Sequence, residues 1–215
     1  EAGQKEKAER PRPVYGETDM NIEVLRKNFE RHEFQTSFFQ TKEEAANYLK
    51  REICGCRVAF GGSMTLKEMG LDRVLAEENE VIWHWLTPGM DTLLRARAAD
   101  IYITSANGVS ETGELVNIDG NGNRVSETLF GPKKVFFVVG SNKITPDLNS
   151  AWQRARNVAA PLNAKRLQAD TPCAAGDCCY ECLSPSRLCR ATVILERPVN
   201  GMEAEVVFVN EPLGY

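Results

Sequence analysis

The residues of this chain that could do chemistry fall into two groups, three short polar loops and one cysteine-rich segment. Each polar loop follows an apolar run rich in β-branched and aromatic residues, which is typical of a buried strand. In open sheets of parallel strands, ligands bind at the carboxyl ends of the strands. Because all three loops follow such runs, we expect them to converge on one crevice that takes a small ligand.

The first loop is GGSMT at residues 61–65, directly after the apolar run RVAF. Glycines let a backbone approach a ligand closely, and the free N–H groups at the start of a helix face an anion. The loop lacks the Gly-Lys-Ser/Thr ending of a phosphate-binding P-loop. A plain strand-to-helix turn with capping hydroxyls is the alternative interpretation. The candidate ligand-binding residues of this loop are Gly61, Gly62, Ser63, Thr65 and Glu68.

The second loop, SANGVSETGE at residues 105–114, offers two carboxylates, an amide and several hydroxyls. Glu111 or Glu114 could act as acid, base or nucleophile if it is desolvated. Solvated loop carboxylates are the commoner case, so that alternative stays open. Asn107 and Gly113 are the candidate ligand-binding residues of this loop.

The third loop, GSNK at residues 140–143, follows the buried run KVFFVV. A lysine directly after a buried strand can direct its ammonium at a bound phosphate or carboxylate. A single lysine at such a place is more often a surface charge, and only the convergence of three loops favours the functional interpretation. We therefore treat Lys143 as a candidate catalytic residue and Asn142 as a candidate ligand-binding residue.

Five of the seven cysteines lie within residues 173–189. Four of them have the spacing C-x5-C-x2-C-x6-C, and the central C-x2-C pair is common in zinc and iron–sulfur sites. Four thiolates this close in sequence could surround one ion, so we predict a metal, zinc first and an iron–sulfur cluster second. Disulfides and free thiols are the alternatives. The candidate metal ligands are Cys173, Cys179, Cys182 and Cys189, and Cys178 is outside the set.

Charge and composition exclude several classes of function. The net charge of −4 argues against a general nucleic-acid-binding protein, which would usually be basic. No apolar run approaches the roughly 18 residues of a membrane span, and no signal peptide is visible. Clustered cysteines of odd number do not resemble a secreted disulfide framework. We therefore expect a cytoplasmic protein with no membrane or nucleic-acid partner.

The two histidines give weaker signals. His84 lies in the apolar run VIWHWL, where a strand would direct it to the face opposite the flanking tryptophans. It could reach a ligand site, but a hydrogen-bonded core histidine is the commoner case. His32 lies on a predicted helix and is expected to be structural.

Strands that alternate with helices are needed to position these loops. Helices are predicted over residues 22–32 and after a capping box at Thr41 and Glu44, and further helix starts are predicted at Thr65, Thr87 and Thr145. The alternation predicts an α/β fold with a mainly parallel sheet flanked by helices. The sequence DGNG within residues 113–132 predicts a β-hairpin. The predicted strands cover residues 57–62, 80–86, 100–107, 134–140, 191–198 and 203–214.

Several separated motifs together resemble the lactate-utilisation (LUD) domain family, in particular its YkgG-type branch. The motifs are FGGSMTLKEMG, DIYITSANGVSETGELVNIDGNGNRV, VVGSNKITPDLNSAWQRARNVAAPLNAKRL, the cysteine-rich segment and VNEPLGY. The resemblance covers residues 20–215 and implies a single domain, with residues 171–190 as a cysteine-rich loop within it and residues 1–19 as a loose arm. It also implies a fold like the NagB, RpiA and CoA-transferase superfamily, in which a loop of the first type binds phosphate or pantetheine groups and a late lysine assists.

The resemblance leaves two functions open. The first is a LUD protein that binds a small anionic ligand carrying a phosphate, CoA or carboxylate group, with a part in the oxidation of L-lactate to pyruvate. The second is a non-catalytic accessory subunit that docks iron–sulfur redox partner proteins and carries a metal in its cysteine cluster. A homo-oligomer is compatible with either function.

Overall fold

The computed structural model describes residues 21–215, and the predicted arm over residues 1–19 lies outside the described residues. The main sheet has six strands, all parallel, in the order β1-β10-β7-β4-β2-β3. These strands are β1 (Gln35–Phe39), β2 (Arg57–Phe60), β3 (Glu80–Trp83), β4 (Ile101–Thr104), β7 (Lys134–Gly140) and β10 (Glu203–Val209). The predicted α/β fold with a mainly parallel sheet is confirmed, and the edge strand β1 is an addition to the predicted strands.

A second, mixed sheet lies beside the main one, with the order β8-β5-β6-β9. Strand β6 pairs antiparallel with both β5 and β9, whereas β5 and β8 are parallel. The strands are β5 (Gly108–Ser110), β6 (Leu115–Asp119), β8 (Ile144–Thr145) and β9 (Ala191–Leu195). The second sheet joins the segments that directly follow β4 and β7, so it fixes two of the three polar loops.

Eight α-helices are described within residues 21–215. The capping box predicted at Thr41 is present, since its side chain accepts from Glu44 N and the Glu44 carboxylate caps the Thr41 backbone. A π-helical turn, Ala155–Ala159, joins two of the helices. The helices are α1 (Ile22–Arg31), α2 (Lys42–Glu52), α3 (Met64–Glu68), α4 (Leu71–Leu75), α5 (Met90–Ala96), α6 (Leu148–Arg154), α7 (Ala160–Arg166) and α8 (Pro172–Ala175).

The other three predicted helix starts are each wrong by two residues. The N-caps of α3, α5 and α6 are Ser63, Gly89 and Asp147. Thr65 is the second residue of α3, and its hydroxyl donates to the carbonyl of Leu213 at 3.2 Å. Thr145 likewise donates to Val109 O at 2.9 Å. These two hydroxyls make tertiary hydrogen bonds, which local capping rules do not include.

The hairpin lies earlier in the chain than predicted, because β6 pairs with β5 across a turn at residues 111–114. After Asp119 the chain forms a loop instead of a second strand. The Asp119 carboxylate accepts hydrogen bonds from four backbone N–H groups that follow it, and this fixes the loop. The four donors belong to Gly120, Asn121, Arg124 and Val125. A 3-10 turn, Ser126–Thr128, completes the connection to β7.

The core lies on both faces of the main sheet, as the alternation of side chains along its strands requires. On β7, Val135, Phe137 and Val139 belong to the cluster that includes α1 and the second sheet. Phe136 and Val138 belong to the cluster that includes α2, α3 and α4. The faces are therefore covered by apolar packing, and the carboxyl ends of the central strands remain for the polar loops.

Among residues 21–215 there is no helix with both the length and the apolar character that crossing a bilayer requires.

Candidate functional site

The three polar loops meet at Lys143. This residue follows β7, is only 2% exposed, and belongs to a 3-10 turn, Ser141–Lys143. Its Nζ donates at 2.8 Å to the hydroxyl of Thr65 in the first loop. It also donates at 2.8 Å to the hydroxyl of Ser105 in the second loop. The predicted convergence is therefore observed in the geometry, while the ligand-binding and catalytic roles of these residues remain predictions.

The hydroxyls around Lys143 act as acceptors toward it. Ser105 Oγ donates its own hydrogen to Val138 O at 2.6 Å, and Thr65 Oγ1 donates to Leu213 O at 3.2 Å. Since each hydroxyl has one hydrogen to give, each must accept from Lys143 Nζ. Two positions on the tetrahedral nitrogen are thus occupied by neighbours. The third position has no hydrogen-bond partner within residues 21–215, and Lys143 lines the cavity.

The cavity at this edge of the sheet has a volume of about 300 Å³. Three cationic side chains line it, those of Arg124, Lys143 and Arg166. The Asp119 carboxylate also lines it, but both of its oxygens accept backbone N–H groups. An excess of positive charge in a partly enclosed site attracts anions more strongly than the same charges would in bulk water.

Arg124 is fixed in the cavity wall by neutral acceptors. Its guanidinium donates to Asn107 Oδ1 at 2.9 Å and to Ile118 O at 2.6 Å. It also donates to Asn117 Oδ1 and Ser105 O. Within the described residues no carboxylate lies within 4.0 Å of the side-chain nitrogens of Arg124 or Lys143. Their charges are therefore not matched by ion pairs in this part of the chain.

Burial lowers the pKa of Lys143 well below its usual value, and the cations Arg154 and Arg124 lower it further. The carboxylate of Glu68 acts in the opposite direction. Glu68 also accepts a hydrogen bond from Gly214 N at 2.7 Å. Because desolvation and like charges both disfavour the ammonium form, Lys143 has a larger fraction of neutral amine at neutral pH than a surface lysine.

Aromatic side chains from the turn after β3 form another side of the cavity. Strand β3 ends at Trp83, so His84 and Trp85 lie in the turn that follows and both line the cavity. The Trp85 ring stacks on Trp83 with centroids 5.1 Å apart, and the Arg166 guanidinium lies 4.9 Å from its centroid. A Cβ added at Gly62 would lie 3.2 Å from Trp85 Nε1, so glycine permits this approach.

His84 lies at the cavity instead of in the core, where the sequence favoured it. Its side chain is half-buried, and burial lowers its pKa, with Asp119 opposing that shift. The prediction rested on a strand that continues through residue 86, and the earlier strand end turns His84 toward the site. Arg124 and Trp85 were missed altogether, because nothing in their local sequence separates them from surface or core residues.

The last six residues, 210–215, cross the first and third loops, and we call them the C-terminal strap. Asn142 fixes it from both sides, since its Oδ1 accepts from Leu213 N at 3.1 Å and its Nδ2 donates to Gly214 O at 3.1 Å. Tyr215 lines the cavity, and its hydroxyl accepts from Arg166 Nε at 2.6 Å. The strap is thus tied to both loops that meet at Lys143, since Thr65 of the first loop donates to Leu213 O.

The predicted residues of the first and third loops divide between two roles. Gly62 and Ser63 line the cavity together with Lys143. Gly61 does not line the cavity and packs against Thr104 of β4, since a Cβ there would lie 2.6 Å from Thr104 Oγ1. Asn142 and Glu68 bind the C-terminal strap and do not line the cavity.

The second loop reaches the cavity only at its start. Asn107 lines the cavity, and its Oδ1 also accepts from Ile118 N at 2.8 Å. Gly113 and Glu111 lie against α1, where Asn28 Nδ2 donates to Glu111 O at 2.7 Å. Glu114 accepts a hydrogen bond from the Thr112 hydroxyl on the same turn. Thus the structure does not bring Glu111, Gly113 or Glu114 to the cavity.

The cysteine-rich segment forms part of the cavity wall. Leu188 and Cys189 line the cavity, and Arg190 N donates to Asp119 O at 2.9 Å, which ties the segment to the end of β6. Two of the sulfurs accept hydrogen bonds from arginines. Arg156 donates to Cys179 Sγ at 3.4 Å, and Arg187 donates to Cys189 Sγ at 3.2 Å.

The four predicted metal ligands are not gathered around a common point. Across residues 21–215, no three side chains of the His, Cys, Asp or Glu type lie together as metal ligands would, and the seven cysteines are free thiols. In this arrangement Cys173, Cys179, Cys182 and Cys189 do not form a four-thiolate cage. A zinc or iron–sulfur site would require the segment 173–189 to rearrange, and it remains a prediction.

Among solved structures, this chain is similar to a DUF162 family protein from Deinococcus radiodurans, with a TM-score of 0.52 and 12% sequence identity. The alignment covers 87% of this chain and 95% of that protein, and at this identity it shows a shared fold.

Two ribose 5-phosphate isomerases align over about half of the chain. The isomerase A of Neisseria gonorrhoeae aligns with 50% of this chain and 54% of its own, at 14% identity and a TM-score of 0.34. The isomerase of Plasmodium falciparum aligns with 49% of this chain and 52% of its own, at 16% identity and a TM-score of 0.32.

No curated protein matches this chain significantly. A model of the LUD domain family, in contrast, matches residues 22–209, which is nearly all of the described chain. The chain therefore belongs to the LUD domain family.

Proposed function

We propose that the cavity binds a small anionic ligand that carries a phosphate, CoA or carboxylate group. The observation that carries the proposal is the placement of Lys143, a buried cationic residue with one nitrogen position left for the cavity and no carboxylate in ion-pair distance among residues 21–215. A buried charge without a partner is costly. An anionic ligand would supply the missing partner.

Two further observations support an anion. Arg124 and Arg166 line the same cavity, and the carboxylate of Asp119 is engaged by backbone N–H groups. The cavity volume of about 300 Å³ lies at the lower end of the range for small-molecule sites, which favours a compact ligand. Membership of the LUD family, with its link to the oxidation of L-lactate to pyruvate, supports hydroxy acids and oxo acids as candidates beside phosphates and CoA esters.

A ligand screen by thermal unfolding tests the proposal. Lactate, pyruvate, inorganic phosphate, sugar phosphates and CoA are each titrated, because stabilisation grows with ligand concentration relative to Kd. For the best ligand, Lys143→Met should weaken binding at least about tenfold, since a charge-assisted hydrogen bond contributes roughly 1.5–3 kcal/mol. Methionine keeps most of the side-chain volume, so the fold should be retained.

Lys133→Met is the matched control, since the Lys133 side chain is 84% exposed and lies away from the cavity. It should bind as the wild type does. The proposal is rejected if no anion stabilises the wild type, and the role of Lys143 is rejected if both variants bind equally well.

A second candidate function is that of a non-catalytic accessory subunit with a metal in the cysteine cluster. The observation in its favour is that Arg156 and Arg187 donate hydrogen bonds to Cys179 and Cys189. The positive charges of these two arginines would offset part of the negative charge of a four-thiolate metal site. Metal analysis and a visible spectrum of protein purified without oxygen test this candidate. A brown protein bleached by dithionite supports an iron–sulfur cluster, and a metal content far below one equivalent opposes any cage.

A further inference from the structure

We propose that Lys143 is a nucleophile, and that its Nζ forms an imine with small anions that carry an aldehyde or ketone carbonyl. The inference rests on the proposed anion site and narrows its ligands to carbonyl compounds with a carboxylate or phosphate group. An amine nucleophile needs a neutral nitrogen, a lone pair directed at the ligand, and a site that excludes bulk water.

The hydrogen bonds around Lys143 place the lone pair. A neutral amine has two hydrogens, and Lys143 Nζ has two protein acceptors, the hydroxyls of Thr65 and Ser105 at 2.8 Å each. Each hydroxyl donates its own hydrogen to a backbone carbonyl, so neither can donate to the nitrogen. With both N–H groups engaged, the remaining tetrahedral position carries the lone pair. No further hydrogen-bond partner of Nζ is found among residues 21–215, and Lys143 lines the cavity, so we infer that the lone pair faces it.

The charges around Lys143 favour the same form. Arg154 is 3% exposed and donates through Nε to Asn142 O at 2.8 Å, next to Lys143 in the chain. Arg124 lines the cavity itself. Both cations disfavour an ammonium at Lys143, and only Glu68 opposes them. The same two cations attract an anion, so one charge arrangement keeps the amine neutral and concentrates its anionic substrate.

The step balances without an oxidant or reductant. The Nζ lone pair forms a bond to the carbonyl carbon, the C=O π electrons move to oxygen, and that oxygen takes a proton to give a carbinolamine. The nitrogen then gives up one of its two hydrogens as a proton, the hydroxyl takes a proton and leaves as water, and the freed electron pair on nitrogen forms the C=N bond. The sum is amine, carbonyl compound and one proton in, and iminium and water out. The iminium is positive, so it lies favourably beside the substrate's own carboxylate or phosphate.

Borohydride trapping tests the proposal on the intact chain. Protein at about pH 7.5, where an ordinary lysine is almost wholly protonated, is treated with sodium borohydride and pyruvate or dihydroxyacetone phosphate. Hydride from borohydride reduces C=N to a stable secondary amine, which peptide mapping by mass spectrometry locates. We expect the adduct at Lys143 to exceed that at Lys133 by at least about tenfold, because a lowered pKa raises the neutral fraction by that factor per unit. Acetone, which lacks an anionic group, should label Lys143 far less.

The two carbonyl probes distinguish the anionic group that the site prefers, and a preference for either supports the proposal. Lys143→Arg keeps a positive charge but cannot form this imine, and it should lose the adduct, whereas Lys133→Arg should keep it. The wild-type peptide map suffices if a variant fails to fold. Equal labelling of Lys143 and Lys133 overturns the proposal. Binding of these anions without an adduct overturns the imine but leaves the anion site standing, and absence of binding overturns both.

Discussion

Lys143 combines near-complete burial with neighbours that accept hydrogen bonds and do not neutralise its charge. A structural lysine at such a depth normally has a carboxylate partner, because an unpaired buried charge costs several kcal/mol. Here Thr65 and Ser105 provide hydroxyls, and Arg124 and Arg154 provide further positive charge. This environment disfavours the ammonium form of Lys143 in the free protein. An anion bound beside Lys143 would stabilise that form, as the proposed anion site requires.

Anion binding should therefore be coupled to proton uptake at Lys143. In the free protein the pKa of Lys143 is well below its usual value, and an anion that binds beside it without forming an imine raises that pKa. Between the two pKa values, the complex has one proton more than the free protein. Affinity must then fall as the pH rises through this window, by up to about tenfold per pH unit.

Calorimetric titration in buffers of different ionisation enthalpy measures this proton uptake, with the best anion of the thermal screen as ligand. The wild type should take up close to one proton in the window, and Lys143→Met none. Equal uptake in both proteins would assign the proton to another titratable group. His84, which also lines the cavity, is a candidate.

Sequence reasoning could find Lys143 because a position directly after a buried strand limits where its side chain can go. It could not find Arg124, since that residue reaches the cavity through a loop that the Asp119 carboxylate organises. It proposed Glu111 and Glu114 on the ground of composition alone, and the structure does not bring them to the cavity. The turn that contains them packs against α1, and that contact depends on the whole fold.

At the scale of elements, the strands of the main sheet were predicted well where they are long and fully apolar. β7 matches its predicted range, since a continuous apolar run of this kind has few alternatives in an α/β domain. β10 begins where predicted, but it ends at Val209 instead of residue 214. β1 and β5 were missed, because each is short and gains its stability from a partner distant in sequence. β1 pairs with β10, and β5 pairs with β6 and β8.

A buried ion pair connects three strands at the end of the sheet opposite the cavity. Glu205 on β10 is 3% exposed, accepts from the Tyr48 hydroxyl at 2.6 Å and pairs with Lys134 of β7 at 2.8 Å. Lys134 also donates to Gln35 of β1 at 2.9 Å. The side chains of Glu205, Tyr48, Lys134 and Gln35 form one cluster. Because its hydrogen bonds connect neighbouring strands, the cluster fixes the register of β10 between β1 and β7.

Glu205→Ala should lower the free energy of unfolding by roughly 3 kcal/mol, since it leaves a largely buried ammonium and a buried hydroxyl without their partner. Urea denaturation measures the change. Glu203→Ala on the same strand is the control, because that carboxylate is exposed and its loss should change the stability by less than about 0.5 kcal/mol. An unchanged urea midpoint for Glu205→Ala would show that the cluster does not stabilise the sheet.

At the scale of the whole molecule, the C-terminal strap closes the environment of Lys143. It links the end of β10 to the first and third loops through Asn142, Thr65 and Glu68. The residues that line the cavity begin at Gly62 and end at Tyr215. The site is therefore complete only when the C-terminal strap is folded against the loops that follow the central strands.

Asn142→Ala should loosen the strap without touching the cavity lining. It removes two hydrogen bonds, to Leu213 N and Gly214 O, each contributing on the order of 1 kcal/mol. Hydrogen exchange of the backbone amides in residues 211–215 should become at least about tenfold faster. Asn149→Ala, an exposed substitution on α6, should leave that exchange unchanged. Equal exchange in the wild type and Asn142→Ala would mean that other contacts fix the strap.

The shared wall between the cavity and the cysteine-rich segment has a further consequence. Leu188 and Cys189 line the cavity, and Arg190 joins the segment to Asp119. A ligand that contacts one arrangement of the segment better than another favours the arrangement that it contacts better. By thermodynamic reciprocity, a chemical change at Cys189 then alters ligand affinity by the same factor with which the ligand alters that chemical equilibrium. The alkylation rate of the Cys189 thiol would therefore report whether a ligand occupies the cavity.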